Sequence, residues 1–188
     1  ATEYRDLTDK DEIQYEEAVA VLNRIGIITG YEDGSFRPET ELTRGAAAKI
    51  IVSLMIGPEA ASALPNDASP YPDVPAGHTF AGVISYCKTA GYISGYSDGT
   101  FKPGNTVTWG EALKMVMAEK YGEQAPVEGG TWASGYIAKA VEEKLIDAEV
   151  EQNKNITRLE VCQLLAKTLG VAASEAESTF PDTTDGYV

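Results

Sequence analysis

Histidine is almost missing from this chain, with His78 alone, and cysteine occurs only at Cys87 and Cys162. A single histidine with no serine, cysteine or aspartate motif around it offers no catalytic triad. Two cysteines do not make a disulfide framework and say little about compartment. No apolar run approaches the roughly 20 residues that a membrane helix needs, so no membrane insertion is expected. Ala1 opens a polar stretch rather than a secretory leader, as expected of a mature chain. Basic residues are scarce too: 15 against 29 acidic, a formal net charge of −14. That balance excludes broad binding to nucleic acid or acidic lipid, which needs a basic face. An anionic ligand would need a local cluster of Arg, Lys and backbone N–H groups. Salt screens the background field within about 10 Å at roughly 0.1 M.

What the chain does have is an internal repeat. Gly30-Tyr31-Glu32-Asp33-Gly34-Ser35-Phe36-Arg37-Pro38 recurs 65 residues on as Gly95-Tyr96-Ser97-Asp98-Gly99-Thr100-Phe101-Lys102-Pro103. The same offset carries Leu42-Thr43-Arg44-Gly45 onto Val107-Thr108-Trp109-Gly110, and Gly26 onto Gly91. A third copy keeps Ile156-Thr157-Arg158-Leu159-Glu160 but lacks the Gly-Tyr-x-Asp-Gly loop. Leu145 to Ile156 is 11 positions, against 15 from Ile27 to Leu42. The units are 1–57, 71–121 and 130–170, joined by connections at 58–70 and 122–129. Within 171–188, Phe180-Pro181-Asp182 echoes Tyr71-Pro72-Asp73 and Tyr4-Arg5-Asp6 and reads as the start of a further unit.

Each unit reads helix, loop, helix, which makes the chain all-α. Ala18, Val19 and Leu22 align with Val83, Ile84 and Cys87 and with Tyr136, Ile137 and Ala140, an i, i+1, i+4 apolar stripe. Gly26 and Gly91 serve as C-terminal stops, while the third unit has Lys144 there. Thr43, Thr108 and Thr157 are N-caps of the second helices. Glu111 and Glu160 complete capping boxes, and Ala46 stands in their place in the first unit. Asp33-Gly34 and Asp98-Gly99 mark tight turns, and their surroundings lack the ligand series of a calcium loop. Phe36 and Phe101 are expected to pack the loops back onto the helices. Cys87 and Cys162 replace small or apolar core residues and are expected to be free buried thiols.

These residues resemble the S-layer homology repeat, whose pattern runs through Gly-Tyr-x-Asp-Gly-x-Phe-x-Pro to Ile-Thr-Arg-Ala-Glu. Tyr71-Pro72-Asp73-Val74-Pro75 and His78-Thr79-Phe80-Ala81 extend the match in the second unit. The resemblance implies three repeats in a pseudo-threefold body around a central three-helix bundle. It further implies grooves between units that bind secondary cell-wall polysaccharide, often carrying a pyruvate ketal, or in some envelopes peptidoglycan. The implied function is non-catalytic anchoring of an exported protein on the bacterial cell surface, as a module expected to be monomeric in isolation. No cofactor and no metal are implied.

Carried over position by position, Arg44 and Arg158 match the motif arginine, and Trp109 replaces it in the second unit. Trp109 is either a sugar platform or a packing residue. Gly45, Gly110 and Leu159 replace the motif alanine. Asp6, Asp73, Phe80, Trp132, Gly45 and Gly110 are candidate groove residues, with structural tying or core packing as the rival reading of the first four. An arginine just inside a helix start would sit beside unpaired N–H groups and the positive dipole end, an anion site suited to a carboxylate. Arg44→Ala and Arg158→Ala are therefore expected to weaken binding while leaving melting nearly unchanged. Two other functions compete: self-assembly into a surface lattice, and a wall hydrolase, which would need a pair of convergent carboxylates.

Overall fold

A computed structural model describes residues 13–147 and 150–170, with side chains from residue 18 onward. Seven helices lie within it: α1 (Ile13–Arg24), α2 (Arg44–Ile56), α3 (Pro58–Ser62), α4 (Ala81–Thr89), α5 (Trp109–Tyr121), α6 (Ser134–Glu142) and α7 (Arg158–Thr168). The described residues form isolated β-bridges but no strand. The all-α expectation is met. The short α3 inside the first connection was not anticipated; Pro58 at its N-terminal turn supplies a fixed φ suited to helix initiation.

The helix pairing runs between units. The second helix of each unit packs on the first helix of the next: α2 on α4, α5 on α6, and α7 back onto α1. The loop ends meet in a ring. Leu42 N–H donates to Ile156 O at 3.2 Å, Ile156 N–H to Val107 O at 3.1 Å, and Val107 N–H to Leu42 O at 2.8 Å. All three side chains are buried. The ring therefore satisfies backbone groups that could not reach water. β-Bridges Glu41–Thr157, Thr43–Thr106 and Thr108–Asn155 flank it.

The apolar stripe seen in sequence is the core. Val19, Leu22, Ile84, Cys87, Ile137 and Ala140 are all buried. Each large aliphatic chain removed from water contributes about 1.5–3 kcal/mol. Phe36 and Phe101 are fully buried, and Phe101 stacks on Tyr71 with ring centroids 5.4 Å apart. The loops are thus anchored by their own aromatic residue. Thr43, Thr108 and Thr157 accept hydrogen bonds from the N–H three residues on, and Glu111 and Glu160 return the bond as full capping boxes.

Two glycines show how the connections cross the body. A Cβ at Gly82 would lie 2.9 Å from Leu64 O, and one at Gly135 would lie 2.0 Å from Ala125 O. The incoming chain passes directly over the start of α4 and of α6, so only glycine fits there. The helix stop after α6 keeps the geometry of the glycine stops: Lys144 has φ 58°, against 75° at Gly26 and 77° at Gly91. Cys87 and Cys162 are buried and free, and burial pushes both thiols up to about 12.

Candidate functional site

The candidate arginines lie at the junctions between units. Arg44 is the first residue of α2, yet its side chain lies on the second unit's loop. Its Nε donates to Phe101 O at 2.8 Å, and the guanidinium lies 4.5 Å from the Phe101 ring centroid and 4.6 Å from that of Tyr96. Arg158, the first residue of α7, repeats this on the first unit's loop. It donates from Nε to Phe36 O at 3.0 Å and from Nη2 to Thr29 O at 2.8 Å, with its guanidinium over Phe36 and Tyr31.

The two arginines differ in one partner. Arg44 Nη1 pairs with Glu111 Oε1 at 2.5 Å, and the Tyr96 hydroxyl donates to that same oxygen at 3.0 Å. Burial raises the Tyr96 phenol above its usual value, while the nearby Arg44 charge acts the other way. Arg44 is 3% exposed. The residue at the equivalent place in the first unit is Ala46, so Arg158 faces no carboxylate there. In sequence Glu111 reads only as a helix cap, and the replacement by Ala46 in the first unit only as a lost capping box. The pairing of Glu111 with Arg44 is visible only once the loop of one unit lies under the helix of another.

The unpaired N–H groups expected at these helix starts are not there. Arg44 N–H donates to Asn105 O at 2.8 Å and Gly45 N–H to Pro103 O at 3.0 Å. Arg158 and Leu159 donate likewise to Thr40 O and Pro38 O, and Trp109 and Gly110 to Lys154 O and Gln152 O. Each helix start is capped by the next unit's loop carbonyls, which takes these first-turn donors away from any ligand. What the arginines present is side chain, not helix terminus.

Trp109 is buried at the third junction. Arginine would be misplaced here. The carbonyls and aromatic ring that hold Arg44 and Arg158 come from the Gly-Tyr-x-Asp-Gly-x-Phe loop, which the third unit lacks. A buried guanidinium without those partners would be costly, whereas an indole fills the space. Of the two readings of Trp109, packing is the one its burial supports.

The remaining candidates fall into two groups. Trp132, 46% exposed, lines a groove of about 480 Å³ together with Arg44, Ser94, Tyr96, Lys114 and Glu111. Lys114 Nζ donates to Ser94 Oγ at 3.0 Å. Phe80 packs over Gly45, where a Cβ would approach its ring to 2.4 Å, and Gly110 faces Ala133 in the same way. The motif alanine is thus replaced by glycine because an aromatic or helix-start residue of the next unit closes on that spot. Asp73 is a tie: its carboxylate accepts from Phe101 N at 2.9 Å and Lys102 N at 2.7 Å. Burial alone would raise the Asp73 carboxyl, but those donors outweigh it and the net direction is down. Asp6 lies outside the described residues.

Asp33 and Asp98 act as turn acceptors. Each receives the side-chain hydroxyl and then the backbone N–H of Ser35 or Thr100, which holds both carboxyls at about 2. His78 Nδ1 accepts from Phe80 N–H at 3.1 Å, a local tie just before α4.

Comparison with known proteins sets this geometry in context. Residues 3–48 and 70–113 match the sequence profile of the S-layer homology domain. The chain is 28% identical over 166 residues to the middle cell wall protein of Brevibacillus brevis, covering 88% of this chain and 16% of that protein. It is 31% identical over 182 residues to cell surface glycoprotein 1 of Acetivibrio thermocellus, covering 85% of this chain and 8% of that protein. It is 29% identical over 160 residues to the cellulosome-anchoring protein of the same organism, covering 76% and 35% respectively. The chain therefore spans a small part of each of these relatives. Its first two units are similar to S-layer homology domains, and the relatives are cell-wall and cell-surface proteins.

Proposed function

We propose that this chain is a three-unit S-layer homology module that holds a larger exported protein on the bacterial cell surface, without catalysis. The cyclic helix pairing and the ring through Leu42, Val107 and Ile156 support a pseudo-threefold body for all three units. The observation that carries the functional reading is the groove beside Arg44, where residues of all three units meet over the second unit's loop. An exposed Trp132 face, the Tyr96 ring and the Lys114 ammonium converge there on about 480 Å³ of open space. A flat apolar face beside fixed donors suits a sugar ring and its hydroxyls. The similar proteins, named for the cell wall, the cell surface and cellulosome anchoring, support the same setting. No helix among the described residues is long and apolar enough to cross a membrane.

The proposed ligand is secondary cell-wall polysaccharide, with a pyruvate-ketal carboxylate as its charged feature. Junctions presented on one rigid body raise avidity for a repetitive polymer without further contacts, provided they engage together. Co-sedimentation with purified sacculi, before and after chemical removal of the secondary polymer, tests this. Sedimentation that disappears on stripping is the expected result. Sedimentation that survives would move the ligand to peptidoglycan. Failure to sediment with either would overturn the anchoring reading in favour of lattice self-assembly.

A further inference from the structure

We propose that the first unit's loop is a docking site for an aromatic-x-Asp segment, and that Phe180-Pro181-Asp182 of the same chain docks there in exchange with Tyr4-Arg5-Asp6. This exchange does not depend on what the grooves bind.

The second unit shows how such a segment clips a loop. Tyr71 is buried with its ring stacked on Phe101 at 5.4 Å, and a Cβ at Gly95 would lie 2.6 Å from the Tyr71 ring. Two residues on, the Asp73 carboxylate accepts from Phe101 N–H at 2.9 Å and Lys102 N–H at 2.7 Å. Charge-assisted bonds of this kind are the strong ones. The loop therefore recognises a ring and a carboxylate two residues apart, with Pro72 between them. The first unit's loop has the same receiving residues: Gly30, Phe36 and Arg37 stand for Gly95, Phe101 and Lys102. Its backbone turns alike, with φ 58° at Arg37 and 59° at Lys102.

Clips and loops do not match in number. The third unit lacks the loop, and residues 122–133 ahead of its first helix hold no aromatic-x-Asp sequence, so loop and clip are lost together. Two loops remain for three clips: Tyr4-Arg5-Asp6, Tyr71-Pro72-Asp73 and Phe180-Pro181-Asp182. The first and last clips lie outside the described residues. In sequence the last is the nearer copy of Tyr71-Pro72-Asp73, because it keeps the proline. A fixed φ leaves less chain entropy to lose on docking.

Helix pairing brings the third clip within reach. α7 packs on α1 as α2 packs on α4, so α7 ends beside the first unit as α2 ends beside the second. From Ile56 to Tyr71 is 15 positions, five of them in α3. That connection can span about 40 Å, and so can the 12 positions from Thr168 to Phe180 if extended. The first unit carries Glu17 at the position where Gly82 and Gly135 admit a crossing chain. The same packed crossing is therefore denied, which makes the dock an exchange with Tyr4-Arg5-Asp6 and not a fixed connection.

Amide hydrogen exchange at Phe36 and Arg37 tests this, with Phe101 and Lys102, held by Asp73, as the reference in the same chain. Asp6→Ala should leave Phe36 and Arg37 protected to within about threefold, because Asp182 takes over. Asp6→Ala with Asp182→Ala should lower that protection about tenfold to a hundredfold, the value of one or two charge-assisted bonds, and leave Phe101 and Lys102 unchanged. In the Asp6→Ala chain, nuclear Overhauser contacts between the Phe180 and Phe36 rings should be present, a readout that stands even if the double variant fails to fold. A loss with Asp6→Ala alone as large as in the double variant, or no contact between those rings, would overturn the proposal. Protection of the Asp6→Ala chain that rises with its concentration would also overturn it, by placing the docked segment on another copy.

Discussion

The first two units and the third solve the same problem differently. Where a unit carries the turn-rich loop, the preceding helix sends an arginine onto it. Arg44 meets Phe101 O, and Arg158 meets Phe36 O. Where the loop is shortened, the helix sends Trp109 instead, and it is buried. The backbone capping is the same at all three junctions, with each helix start donating to the next unit's loop carbonyls. The comparison teaches that the backbone caps and ring form whichever side chain stands at the arginine position. That position is free to follow the loop it faces.

The largest test of this contrast is to truncate the two arginines separately. Arg44→Ala removes one half of a buried ion pair and leaves Glu111, 16% exposed in its side chain, without its cation. The expected cost is about 3 kcal/mol. Arg158 is half-buried and pairs with no carboxylate among the described residues; Arg158→Ala should lose two hydrogen bonds and some stem packing, about 1 kcal/mol. Urea unfolding at equal m-values would resolve the pair. Equal losses would show that Glu111 does not distinguish the junctions. The sequence-based expectation that neither truncation affects melting is revised for Arg44, because its burial and its partner come from another unit.

A smaller effect is expected where the third unit departs from glycine. Lys144 holds φ 58° at the stop that Gly26 and Gly91 occupy in the other units. A non-glycine residue in this region carries a cost of about 1–2 kcal/mol, partly offset by the greater freedom glycine has when unfolded. Lys144→Gly should stabilise the chain by about 0.5–1 kcal/mol. Gly91→Lys, the reverse change in the second unit, should cost a similar amount. If Lys144→Gly is neutral, the Lys144 side chain contributes something the stop alone does not explain.

Much of this was legible in sequence, because it depended on local spacing. The 65-residue offset, the threonine caps and the apolar stripe of Val19, Leu22, Ile84 and Cys87 are all properties of neighbouring residues. Asp33 and Asp98 reach residues two positions on, so their turn role was readable too. The site was less legible because its contacts span long separations. Arg44 meets Phe101 57 residues away, and Arg158 meets Thr29 129 residues away. Nothing in a linear reading says which loop lies under which helix. The same gap produced the mistaken expectation of open N–H groups, since their acceptors, Asn105 and Thr40, belong to other units.

The smallest expected effect concerns acid, and it again separates the loop-bearing units from the third. Asp33 and Asp98 are held at about 2 instead of the usual 3.8, first by the hydroxyls of Ser35 and Thr100 and then by those residues' backbone N–H groups. A carboxyl depressed in the folded state contributes stability in full above its unfolded value, and that contribution is lost as pH falls through the folded value. The window is therefore pH ~4 down to ~2, and both groups are solvent-exposed, so the effect is modest. Asp33→Asn with Asp98→Asn keeps an acceptor oxygen in each turn but removes the charge. Thermal melts of the double variant should fall less steeply than wild type across that window, and match its slope above it. Since the third unit has no such turn, identical acid slopes for the two proteins would place the acid sensitivity elsewhere, with Asp73, whose two backbone donors tie it to the Phe101 loop, as the next carboxylate to remove.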